Sequence, residues 1–156
     1  MNAEALSKPR KNEQGSTLVE VILAMGLLGV VLGSIAGLFT IGATQVKSGR
    51  NASEALVVAR SILEEMHGWS FSQLYGVYGV DGSAGTLQVN TRDSGFASKW
   101  QVALDEDLCN AYAKIFISAL EPGASLADSS QVGLNVTVYW EEGPRKRKLR
   151  LRTVKM

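Results

Sequence analysis

The sequence predicts an α+β fold: a long N-terminal helix, membrane-spanning in its first half and amphipathic in its second, packed on a small antiparallel β-sheet. Three observations predict it. Residues 21–46 carry no charged side chain. From Gln45 to His67 the apolar positions recur at helical spacing. The C-terminal part then alternates apolar and polar residues with period two, as a half-buried strand does.

Before the apolar run, Lys8, Arg10 and Lys11 form a basic, hydrophilic leader. At about 1.5 Å per residue the run VILAMGLLGVVLGSIAGLFTIGATQV would extend about 39 Å as a helix, more than the roughly 30 Å hydrocarbon core of a bilayer. A transmembrane helix is therefore expected. The positive-inside rule favours a cytoplasmic N terminus and an exported C-terminal domain, although Lys47 and Arg50 flank the far end of the run. An ordinary secretory signal peptide is a competing reading, with Ser34-Ile35-Ala36 as a small-x-small cleavage site. Against it, the run continues through Leu38, Phe39 and Ile41, and Glu20 has no place in such a segment. A plain single-pass anchor leaves Glu20 equally unexplained, since a carboxylate costs about 2.5–3.5 kcal/mol at the centre of an inserted helix and less near its end.

One reading accounts for Glu20. The stretch GSTLVE, Gly15 to Glu20, with basic residues before it and a long apolar helix after it, resembles the processing site of type IV prepilins and type II secretion pseudopilins. The resemblance implies a type IV pilin-like fold and a leader spanning residues 1–15, cut after Gly15 by a membrane prepilin peptidase. Ser16 then becomes the first mature residue and the site of N-methylation; phenylalanine is commoner there in the family. It further implies a membrane and assembly helix over residues 16–44 and an exported domain over residues 45–156. Glu20 falls where the family has its glutamate. Cleavage creates a cationic amine at Ser16, and in a filament that amine neutralises the Glu20 carboxylate of an adjoining subunit. Opposite charges about 4 Å apart attract by about 4 kcal/mol at an effective dielectric of about 20.

Gly26, Gly29, Gly33 and Gly37 mark one side of the same helix. The GxxxGxxxG spacing of the last three lets helix backbones approach closely, and each glycine lowers helix stability by about 1 kcal/mol relative to alanine. Helix packing and local unwinding in a fibre are the functional readings. The alternative is that small residues are simply common in membrane helices.

In the exported domain, Leu56, Ala59, Leu63 and Met66 form the expected apolar face of a helix running from about Thr17 to His67, with Gly68 placed to end it. His67, near the carboxyl end of the helix, reads as a dipole-compatible terminal residue without a catalytic role. Residues 69–98 are rich in glycine and serine and read as a long connection holding at most one short strand, with Trp69, Phe71, Tyr75 and Tyr78 folded onto the core. Trp100, Val102 and Leu104 are read as one strand face, and Ile115, Ile117 and Ala119 as another. Val132 to Trp140 gives the clearest alternation; EEGPRK turns the chain, and Leu149 and Leu151 alternate with Lys148, Arg150 and Arg152 to complete a hairpin. The sheet should hold three to five strands.

The ending VTVYWEEGPRKRKLRLRTV resembles the terminal hairpin of PilV-like minor pilins and of the related pseudopilins of the I type. That favours a minor pilin contributing to pilus assembly or initiation, with a type II secretion pseudopilin as the alternative. A secreted or anchored binding domain with an ordinary signal sequence is the remote one. The implied partners are prepilin peptidase, other minor and major pilin subunits, an inner-membrane assembly platform and membrane lipid. The implied location is the bacterial inner membrane and then a pilus or pseudopilus.

Composition narrows the rest. Formal net charge is +1, so the molecule as a whole has no strong field for nucleic acid. Arg145 to Lys155 carries seven basic residues and no acid and reads as a solvated strand face with Glu141 and Glu142 across the turn, without a nucleic-acid partner. One cysteine, Cys109, excludes an internal disulfide and reads as a small buried hydrophobe. Asp105, Glu106 and Asp107 lack calcium-loop spacing and read as a polar turn. With a single histidine and no phosphate loop or nucleophile elbow, no enzymatic activity, cofactor or metal is expected.

Overall fold

A computed structural model describes residues 17–93 and 95–156. The elements run α1 (Leu18–Gly68), α2 (Gln73–Gly76), β1 (Thr86–Asn90), α3 (Ser98–Asp107), β2 (Tyr112–Ala119), β3 (Val132–Glu142) and β4 (Arg145–Lys155). The chain divides into two compact units, one ending at Thr44 and the other running from Gln45 to Met156.

In the first unit, the apolar run of α1 forms a continuous helix with its large side chains exposed. Its hydroxyls turn back on their own helix. Ser34 Oγ donates to the Val30 carbonyl at 2.8 Å, Thr40 Oγ1 to Ala36 at 3.1 Å and Thr44 Oγ1 to Ile41 at 2.8 Å. A helix crossing hydrocarbon has to satisfy its polar groups this way, because lipid offers none.

In the second unit, four antiparallel strands form a sheet in the order β1-β2-β3-β4, and the C-terminal half of α1 packs on one face of it. Ala55, Val58, Ala59, Ile62, Leu63 and Met66 of α1 meet Ala113, Ile115 and Ile117 of β2 and Val132, Leu134, Val136, Val138 and Trp140 of β3 in one core. The helix face therefore centres on Ala59 and Ile62. Leu56, expected inside, is 43% exposed, and Ala55 takes the neighbouring inward position. At the C-terminal end of α1, Lys155 Nζ donates to the His67 carbonyl, so β4 supplies a cation to the negative end of the helix.

The connection after α1 holds the single turn α2 and the short strand β1, and Trp69, Phe71, Tyr75 and Tyr78 pack against the core as expected. Gly82, at φ +78°, lies under the Tyr75 ring, where a Cβ would come within 2.8 Å. Tyr78 is half-buried, and among the described residues its hydroxyl has no hydrogen-bond partner. Burial, with Glu65 nearby, pushes its ionisation above the ordinary tyrosine range. Such a raised folded-state value contributes stability that is complete below the unfolded value and lost as pH rises through the folded one. Tyrosinate absorbance is therefore expected to show one tyrosine titrating late, together with alkaline unfolding; Tyr78→Phe should remove that late step.

Residues 98–107 are the main correction to the sequence reading. They form α3, not a strand. Trp100 and Leu104 are buried whereas Val102 is 62% exposed. Positions four apart share a face in a helix and in a strand alike, so this pair fitted both periods, and Val102 decides against the strand. Thr91 and Gln101 fasten α3 to the sheet: Thr91 Oγ1 donates to Gln101 Oε1 at 2.6 Å and accepts from the Ala113 amide at 2.9 Å, and Gln101 Nε2 donates to the Ala111 carbonyl at 2.8 Å. Asp105, Glu106 and Asp107 occupy the last turn of this helix and not a loop. Cys109 is exposed, not buried. Leu108 takes the inward position, and Asn110 at φ +49° turns the chain sharply into β2, leaving Cys109 outside.

The β3–β4 hairpin agrees with its sequence reading. Glu142 pairs with Arg145 in register, so Gly143 and Pro144 form a two-residue turn. Gly143 has φ +59°, the positive φ required at the first central position of a type II′ turn, and proline suits the second. Arg147 Nε donates to Glu142 Oε2 at 3.1 Å, and Ser48 of α1 donates to the same oxygen at 3.1 Å.

Candidate functional site

The residues singled out for processing and assembly lie around the start of α1. Gly15 and Ser16 fall outside the described residues. From Thr17 onward the geometry is that of a helix entry. The Thr17 carbonyl accepts from the Glu20 amide at 2.9 Å and from the Val21 amide at 3.2 Å, while Thr17 Oγ1 lies 3.4 Å from the Glu20 amide. Threonine suits this position because its hydroxyl can share, with its own carbonyl, the amide protons of the first turn.

Glu20 stands exposed in the first turn of α1. The positive end of the helix dipole lies there, and it favours a carboxylate by about 0.3–1 kcal/mol. The same glutamate in the middle of the span would lose this support and meet the full cost of hydrocarbon. Its place at the end of the apolar run is thus the position where a membrane helix carries a negative charge most cheaply.

Gly26, Gly29, Gly33 and Gly37 follow on the same helix. A Cβ built on any of them meets nothing within 4 Å, so within this chain their lack of a side chain serves no internal packing. At about 100° per residue they fall within roughly a quarter of the helix circumference. Such a strip admits a close neighbour.

The span itself is apolar, with a mean hydropathy of 2.4 over its best window. Residues 10–36 match the family model of the prokaryotic N-terminal methylation motif.

That match supports a type IV pilin-like protein. It covers the basic residues Arg10 and Lys11, the GSTLVE stretch and the first part of α1. The motif marks a substrate of processing and not an enzyme family. It implies cleavage by prepilin peptidase and assembly with other pilin subunits, and with the apolar helix it fits membrane anchoring. The α+β arrangement, a long N-terminal helix on a small antiparallel sheet, is pilin-like as well. Searches of curated proteins and of solved structures found no match.

A second group of residues comes together only in the folded chain. Tyr112 and Tyr139 face each other across β2 and β3 with ring centroids 4.9 Å apart and planes 12° apart, and the Arg92 guanidinium lies 4.8 Å over the Tyr112 ring. Lys114 and Phe116 follow on the same face of β2. Reading this strand by its buried members alone left these outward ones unassembled; the alternation Tyr112, Lys114, Phe116, Ser118 was the available signal.

Proposed function

We propose that this chain is a minor pilin of a type IV pilus, made as a prepilin and contributing to pilus assembly or initiation. The match of residues 10–36 to the methylation motif carries the reading. On it, Gly15 ends the leader, Ser16 is the methylated first residue, and residues 16–44 hold the subunit in the inner membrane, with residues 45–156 exported. Glu20 receives the Ser16 amine of an adjoining subunit, and the strip of Gly26, Gly29, Gly33 and Gly37 is where a neighbouring helix packs.

The minor-subunit assignment rests on the terminal hairpin. Its first strand with Trp140 near the end, its tight turn and its basic second strand resemble the PilV-like ending. Type II secretion pseudopilins share the processing motif, and genes for pilus or secretion machinery beside this one would separate the two.

Sequencing the mature N terminus from cells that hold prepilin peptidase tests the reading directly. The expected product starts at a methylated Ser16. A product starting at Gly37 would assign the chain to ordinary signal-peptide processing, and retention of the leader would remove the pilin reading altogether.

A further inference from the structure

The face of the sheet turned away from α1 collects a concentrated positive charge. On β4, Lys146, Lys148, Arg150 and Arg152 are all exposed; two residues apart, they line one face at intervals of about 7 Å. The charge continues inward. Arg150 lies opposite Thr137, and Thr137 opposite Lys114 of β2. Glu141, an acid on this side, is opposite Lys146. In a chain of formal net charge +1, such segregation creates a local field that the total conceals.

Charge alone would suit any polyanion. The aromatic residues on the same face narrow the choice. Phe116 is 38% exposed and stands between Gln88 of β1 and Asn135 of β3, with Arg152 opposite Asn135. Phe116 places an exposed apolar ring on this otherwise charged and amide-bearing face. A ring flanked by two amides, with a row of cations at its side, offers a base something to stack on, hydrogen-bonding groups for its edge and countercharges for its phosphates. The Tyr112–Tyr139 stack stiffens the platform, and beside it opens a pocket of about 330 Å³ lined in part by Arg92, Tyr112, Lys114 and Tyr139.

We propose that this sheet face binds single-stranded nucleic acid, with Phe116 stacking a base and Lys148, Arg150 and Arg152 meeting phosphates. The inference stands on the second unit and is independent of how the N terminus is processed.

The test is fluorescence anisotropy of a labelled oligothymidylate titrated with the full chain in detergent micelles over a series of salt concentrations. Saturable binding is expected, weakening with salt by about 0.7 in log–log slope for each phosphate neutralised. The triple variant Lys148→Gln/Arg150→Gln/Arg152→Gln should flatten that slope by about 2. Phe116→Leu should weaken binding about tenfold with the slope unchanged, and Phe116→Trp should keep the affinity. Unaltered circular dichroism shows that each variant folds. Absence of saturable binding at low salt overturns the proposal. So does an oligonucleotide affinity indifferent to Phe116→Leu, which would make the face a general polyanion surface. Complete displacement of the oligonucleotide by vesicles of anionic phospholipid would assign the face to a membrane and overturn it equally.

Discussion

Glu20→Ala is expected to leave membrane insertion unchanged and to abolish incorporation into fibres. Alanine in place of a carboxylate makes the apolar run more favourable in lipid by up to about 2.5–3.5 kcal/mol, less at a helix end, so insertion has nothing to lose. Assembly loses a counter-ion. The proposed contact between the Ser16 amine of one subunit and the Glu20 carboxylate of the next is worth about 4 kcal/mol at about 4 Å and an effective dielectric of about 20. It also fixes the axial register of neighbouring helices, which a greasy strip of glycines and leucines leaves loose. Glu20→Gln separates the two contributions, since it keeps a hydrogen-bond acceptor and removes the charge; it should incorporate far less than the parent chain. Immunoblots of membrane and sheared-fibre fractions read both steps. Parent-level incorporation of Glu20→Ala would show that the charge pairing has no part in assembly.

How far the sequence disclosed this molecule depended on whether a signal was local. The apolar run, Glu20 at its start and the basic residues before it are adjacent in the chain, and the helix Leu18–Gly68 and the methylation motif follow them closely. The hairpin of β3 and β4 was equally legible, because alternation on both sides of a glycine-proline turn constrains its register locally. Besides α3, whose buried pair fitted both periods, three features were not. Leu56 and Ala55 are consecutive on the helix, and which of them turns inward depends on how the helix is rotated against the sheet, which the helix period alone does not set. Cys109 is placed by the turn between α3 and β2, which no composition rule anticipates. The basic and aromatic sheet face draws on β1, β2, β3 and β4 together, so it exists only once the cross-strand register is set.

The helix α3 offers the sharpest stability test, because the two readings of residues 98–107 predict different outcomes. As a strand, Trp100, Val102 and Leu104 would share one face, and Val102→Ala and Leu104→Ala would both remove core volume. In the structure Leu104 is fully buried and Val102 is 62% exposed. Leu104→Ala should therefore cost about 2–5 kcal/mol, the range for emptying a buried leucine site. That is a large fraction of the roughly 5–15 kcal/mol that holds a typical domain folded. Val102→Ala should stay within about 0.5 kcal/mol and can stabilise slightly, alanine being the better helix former. Local propensity does not rescue α3. Asp105, Glu106 and Asp107 load its last turn with negative charge at the negative end of the dipole, and among the described residues no side chain caps its start. Packing of Trp100 and Leu104, the indole hydrogen bond from Trp100 Nε1 to Glu65 Oε2 at 3.0 Å, and the Gln101 link to the sheet hold it in place. Urea unfolding of the full chain in micelles, followed by tryptophan fluorescence, measures both variants. Equal losses from Val102→Ala and Leu104→Ala would restore the strand and displace α3.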